Sequence, residues 1–198
     1  MIRSAAAVLI AGVVAASAAA TDPVRVKGSS ASFPATLNLP NGDKTVRLDL
    51  TGAGLRTKIG LGVYAVASYL QEGTAARTAD DVVKADAVRL LHLVMERTVA
   101  PDDFIGAFKS AVGKSYPADA FAAEFKQLAA AVGDRSAAKG DHVFLVSVPE
   151  AGVRIKLADK VDVTIKNPAF ARALWEVYLG SKPLDDGLKK SLVGMLPR

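Results

Sequence analysis

The chain has 198 residues, no cysteine, and a formal charge of +5 from 25 Lys and Arg against 20 Asp and Glu. Without cysteine, disulfides, thiolate metal sites, iron–sulfur ligation and cysteine nucleophiles are all excluded. The basic excess is mild and no basic stripe is interleaved with aromatic residues, so nucleic-acid binding has no support.

The start of the chain reads as an export signal. Arg3 supplies a positive beginning, residues 5–14 form a short apolar run, and Ala18-Ala19-Ala20 offers a small-residue cleavage site. The expected division is a signal peptide over 1–20 and one domain over 21–198, delivered to a periplasm or secreted. The apolar run is too short to span a bilayer and no other stretch approaches that length, so no transmembrane segment is expected in the mature chain.

The domain opens with alternating segments. Val24 and Val26 precede a relaxed Gly28-Ser29-Ser30 stretch, and Leu37 and Leu39 run into Asn41-Gly42, beyond which Val46, Leu48 and Leu50 alternate. Asn-Gly between alternating runs signals a hairpin because both residues tolerate positive φ. One face is apolar, while Asn38, Arg47 and Asp49 wet the other. The glycine-rich Gly52-Ala53-Gly54-Leu55-Arg56 follows. Residues 61–70 are apolar on both alternating sets and predict a central strand, as do residues 88–95. Between them, Thr78 and Asp81 mark a short capped helix.

The middle of the chain is helical. Phe104, Phe108 and Val112 recur every four residues, and Phe121, Phe125, Leu128 and Val132 repeat the pattern after Pro117. Three strands then meander through residues 143–148, 153–157 and 161–165. Asn167 caps a helix with Pro168 at its first position and Phe170, Leu174 and Val177 along its inner stripe. Gly180 stops that helix, and Leu184, Leu188 and Leu192 outline a last one. Strands, helices, strands, helices, without strict alternation, predict an α+β fold: an antiparallel sheet with helices on one face.

Candidate chemistry is sparse. His92 lies within an apolar strand and reads as a core histidine, and His142 reads as surface. Two histidines fifty residues apart, with no HExxH arrangement, do not build a catalytic zinc site. No GxSxG elbow, P-loop or dinucleotide fingerprint is present. Arg56 follows two glycines, which permit either a β-corner with a solvated arginine or a close backbone approach with the guanidinium aimed at a carboxylate or phenolate. Tyr64 and Tyr69 fall on opposite faces of one strand, so one of them shares Arg56's side, and Tyr64 is favoured. The lysines near the C-terminus are interrupted by Asp185 and Asp186 and read as a solvated face.

Two segments carry a resemblance. Gly52-Ala53-Gly54-Leu55-Arg56-Thr57-Lys58 with Gly62-Val63-Tyr64-Ala65-Val66-Ala67-Ser68-Tyr69-Leu70, and Asn167-Pro168-Ala169-Phe170 with Leu174-Trp175-Glu176-Val177-Tyr178-Leu179-Gly180, resemble the chalcone isomerase-like superfamily, in particular its exported bacterial branch. The resemblance spans roughly residues 23–195. It implies an open-faced β-sandwich: a large antiparallel sheet, a helical layer, and a ligand cleft between them. Plant enzymes of the superfamily cyclise chalcones, and related plastid members bind fatty acids without that activity. In both an arginine of the Gly-rich segment faces the ligand, and Arg56 is the matching position.

The enzymes' accompanying polar set is incomplete here. The segment after Arg56 is compressed to Thr57-Lys58-Ile59-Gly60-Leu61, which removes the match for their strand threonine. A loose alignment brings Tyr116 near their tyrosine, while Glu124 stands near their asparagine. The expectation is therefore non-catalytic binding of a small amphiphilic, fatty-acid-like carboxylate through Arg56, Tyr64 and Tyr116, with no catalytic residue, metal or cofactor. An intramolecular lyase of chalcone isomerase type and an accessory protein with a vestigial cleft are the alternatives.

Overall fold

A computed structural model describes residues 22–41 and 44–197. The expected signal peptide over 1–20 lies outside the described residues, as does Gly42 of the expected Asn-Gly turn. On either side of that turn β3 (Thr36–Asn41) and β4 (Lys44–Lys58) pair antiparallel, with Leu37 opposite Leu48 and Leu39 opposite Val46. The predicted hairpin is present, but Asn41 still pairs with Lys44, so Asn41 belongs to the ladder and not to the turn.

The sheet continues through β5 (Leu61–Gln71), β6 (Arg89–Met95), β7 (His142–Val148), β8 (Gly152–Leu157) and β9 (Val161–Ile165). All seven strands are antiparallel and follow chain order. A two-stranded ribbon of β1 (Val24–Arg25) and β2 (Ser32–Phe33) precedes them.

Among the described residues five helices gather on one face: α1 (Ala79–Lys84), α2 (Pro101–Val112), α3 (Ala122–Val132), α4 (Pro168–Leu179) and α5 (Asp186–Leu192). Side chains cap α1, α4 and α5. Thr78 and Asp81 form a reciprocal capping box on α1. Asn167 accepts from the amides of Ala169 and Phe170 ahead of α4, whose first residue is proline. Asp185 caps α5.

Alternation along the central strands builds two cores. Val66, Leu91, Leu93, Leu145 and Ile155 face the helices and pack on Phe104, Phe108, Leu174 and Trp175. Ala65, Ala67, Tyr69 and Leu90 face the other way and are covered by Val26 and Phe33 of the N-terminal segment, together with Leu37 and Leu48. The sandwich is thus open-faced: among the described residues only this ribbon lies over its second face.

The glycine-rich segment does not turn a corner. It runs inside the 15-residue β4, with a register break between Leu50 and Gly52. Thr51 is the extra residue of this bulge, and its Oγ1 lies 2.8 Å from the Leu192 carbonyl oxygen and 2.8 Å from Ser68 Oγ. The glycines serve the other option their freedom allows, close approach. A Cβ on Gly52 would stand 2.1 Å from the Ser191 carbonyl oxygen, and one on Gly54 would stand 2.8 Å from Leu188. Helix α5 lies directly on this strand because two side chains are missing from it.

Candidate functional site

The bulge decides where Arg56 points. Leu48 and Leu50 face the ribbon side, and uninterrupted alternation would send Arg56 there too. The extra residue shifts the phase, so Gly52, Gly54 and Arg56 face the helices, with Arg56 directly opposite Tyr64 on β5. Arg56 and Tyr64 are therefore side-by-side neighbours on the helix-facing surface. Tyr69, on the other face, donates to the Pro34 carbonyl at 2.9 Å.

Two further side chains complete this cluster. The Tyr64 hydroxyl lies 3.2 Å from the Tyr178 hydroxyl on α4. Arg56 Nη1 donates to Asp185 Oδ2 at 3.2 Å, with the Arg56 side chain 19% exposed. Burial raises the pKa of both tyrosines, and Arg56 pulls the other way on each. Both phenols are thus neutral at physiological pH, available as hydrogen-bond donors and poorly suited to act as bases.

A half-open cavity of about 60 Å³, apolar apart from the tyrosine hydroxyls and Asp103, begins at this tyrosine pair and runs between the sheet and α2. Val63, Tyr64 and Met95 form its sheet wall, Phe104 and Phe108 its α2 wall, and Val177 and Tyr178 its α4 wall. Arg56 is not a lining residue; it stands behind Tyr64, on the neighbouring strand. Pockets for drug-sized ligands run from ~300 to 1,000 Å³, so the cavity as it stands is far too small for a long alkyl chain. On the far side of Phe104 and Phe108 a second seam, bounded by Leu128, Leu145, Ile155 and Leu174, has no room for a water molecule.

Tyr116 is placed apart from this cluster. Its hydroxyl donates to Glu176 Oε2 at 2.8 Å and its ring packs edge-on to Phe121, and it does not line the cavity. Burial first, then the bond to Glu176, pushes its pKa up to about 12. Glu124 accepts from Asn167 Nδ2 at 2.7 Å and so supports the cap of α4. Tyr178 takes the place by the cavity that the sequence assigned to Tyr116. Its position four residues after Leu174, on the buried stripe of α4, was the available signal.

A larger depression, about 680 Å³, is elsewhere. It lies at the opposite end of the β4–β5 pair, bounded by Leu50, Gln71, Arg77 and the segment from Met195 to Pro197. Asp49 and Asp81 on its wall disfavour an anion, and none of the predicted site residues reaches it.

The family comparison covers almost all of the described chain: the chalcone isomerase-like family matches residues 26–194. The chain belongs to this family. A search of curated proteins finds no significant match. Among solved structures, the chain is similar to a fatty-acid binding protein of Arabidopsis thaliana, with a TM-score of 0.67 and 19% identity over 87% of this chain and 96% of that one. At that identity the likeness bears on the fold, and it agrees with the seven-stranded sheet and its helical layer. Among the described residues of this chalcone isomerase-like protein, no helix is long and apolar enough to cross a membrane.

Proposed function

We propose that this protein is an exported, non-catalytic binder of a small amphiphilic carboxylate, probed most simply as a fatty acid. The observation that carries the reading is the polar cluster of Tyr64 and Tyr178 at one end of the cavity, with Arg56 behind Tyr64 and with Asp103 the one carboxylate among otherwise apolar walls. A carboxylate head would accept from the two phenols and from a guanidinium released by Asp185. The tail would lie between the sheet and α2, each buried methylene adding about 0.8 kcal/mol. Loading requires Phe104 and Phe108 to turn and α2 to lift, which joins the cavity to the seam beside it. The fold likeness to a fatty-acid binding protein supports this reading. The neutral phenols support binding over proton transfer.

A second reading has its own observation: the volume of about 60 Å³, with Arg56 already paired, suits an accessory protein whose cleft is vestigial. Solvent extraction of the purified protein after denaturation, read by mass spectrometry, separates them. A stoichiometric alkyl carboxylate supports the binder. Its absence, together with failure to take up added fatty acid, supports the vestigial cleft.

A further inference from the structure

The β4–β5 hairpin ends in a feature that neither the core nor the cavity uses. Lys58 pairs with Leu61, leaving a two-residue turn of Ile59 and Gly60 with φ of 53° and 73°. Both signs are positive, as in a type I′ turn, where Asn-Gly is favoured. A β-branched side chain in the left-handed region is crowded by its own backbone. Packing does not offset that strain, because Ile59 is 93% exposed and Leu61 is 63% exposed.

The tip's surroundings are basic. Lys58 is at its base. Gly28 lies against Leu55 and carries Lys27 to the same end of the sheet, and Glu96 lies against Gly62 and carries Arg97 there. Lys27, Lys58 and Arg97 are exposed and form no ion pair among the described residues. The nearby acid, Glu96, is engaged by the Ser29 hydroxyl. Two protruding aliphatic side chains at a basic end of the sheet present no broad apolar face for a protein partner. They match the boundary of an anionic bilayer, where apolar groups enter and lysines meet phosphates.

The geometry points to a membrane-docking tip: Ile59 and Leu61 enter an anionic lipid surface while Lys27, Lys58 and Arg97 hold its head groups. Val63 and Tyr64, next along the same strand, line the cavity, so docking brings the cavity's wall toward the lipid. The docking does not depend on what the cavity holds.

The absence of cysteine allows a direct test. Full-length protein carrying Leu61→Cys, labelled with an environment-sensitive dye, is mixed with phosphatidylglycerol–phosphatidylethanolamine vesicles containing a quencher lipid. The dye is expected to shift blue and be quenched, whereas the same dye on Asp159→Cys, in the exposed β8–β9 turn, is not. Adding Ile59→Asn, which the turn accepts better than Ile, is expected to keep or raise the melting temperature while weakening the vesicle response about tenfold. An unquenched dye at position 61, even with the protein bound through another segment, overturns the proposal. So does equal quenching by neutral phosphatidylcholine vesicles, or shielding of the dye that grows with protein concentration alone, which would assign the tip to a second copy. Failure here leaves the amphiphile reading standing, and absence of a bound amphiphile leaves this one standing.

Discussion

Asp185 holds Arg56 with one carboxylate oxygen and caps α5 with the other: Oδ2 accepts from Arg56 Nη1 at 3.2 Å while Oδ1 accepts from the Leu188 amide at 2.8 Å. One side chain thus ties the candidate anion site to the helix laid over the glycines of β4. Asp185→Asn keeps the cap, since Asn serves as well there, but removes the competing charge. Affinity for a fluorescent alkyl carboxylate is expected to rise a few-fold, because a partly exposed ion pair is worth about 1 kcal/mol or less. Asp185→Ala should give the same gain in affinity and lose about 1 kcal/mol of stability with the cap. Parallel binding titrations and urea melts of the two variants check both statements.

Gly52→Ala is expected to destabilise the fold by roughly 1–3 kcal/mol, as overpacking does. The added methyl would meet the backbone of Ser191 and Leu192 rather than a side chain that could swing aside. Gly60→Ala, with open space around its Cβ position but a φ of 73°, should cost about 1–2 kcal/mol through conformation alone. Chemical denaturation of each variant gives the comparison, and only the first should loosen α5.

Arg89 is a buried cation with no carboxylate partner among the described residues. It donates to the Val82 and Val83 carbonyls at the end of α1 and to Ser147 Oγ at 3.2 Å, and its guanidinium carbon lies 5.0 Å from the centroid of the Trp175 ring. Burial lowers its pKa to about 10, which leaves it charged at neutral pH. It caps the negative end of the α1 dipole from inside the core. Arg89→Ala strips partners from three buried acceptors and should cost roughly 3 kcal/mol, measurable as a shifted urea midpoint. Arg89→Lys, with one donor group in place of a fork, should recover only part of that loss.

His92 and His142 share a hydrogen bond, with Nε2 and Nδ1 2.7 Å apart, and His92 stacks on Phe144 with Phe33 edge-on to it. Burial first, then the neighbouring His142, lowers the His92 pKa to about 3. The unfolded chain therefore takes up this proton at a higher pH than the folded one. The stability it confers is complete above pH ~6.5 and is lost as pH falls toward 3, with a slope of at most ~1.4 kcal/mol per pH unit. Lys160 pairs with Asp141 beside His142, and Asp141 itself has a lowered pKa, so carboxylates add to the loss at the acid end of the window. His92→Phe should flatten the profile between pH 6.5 and 5, where those carboxylates remain ionised. An unchanged slope in that interval would remove His92 from the account.

The elements were largely legible because their signals are local: alternation in the strands, four-residue apolar spacing in α2 and α3, Asn167-Pro168 at the start of α4. Which face each central strand shows to the helices was legible only within a strand. The bulge at Thr51 was not, since one extra residue leaves the composition unchanged while inverting the phase of everything after it. Arg56 and Tyr64 came together as expected, yet for that unforeseen reason. Gly52 and Gly54 signalled a close approach without naming α5 as the partner, more than 130 residues along the chain. Tyr178 was missed because a buried helix stripe does not reveal which of its hydroxyls will meet one on the sheet.

Calorimetric titration with a series of saturated fatty acids, on the wild-type protein and on Arg56→Ala, tests the central claim most directly. The account predicts affinity rising about fourfold for each added methylene until the seam beside α2 is filled. It also predicts a loss of roughly 1.5–3 kcal/mol in the variant at every chain length, with the fold unchanged. Binding absent at all lengths, or equal in the two proteins, would contradict it.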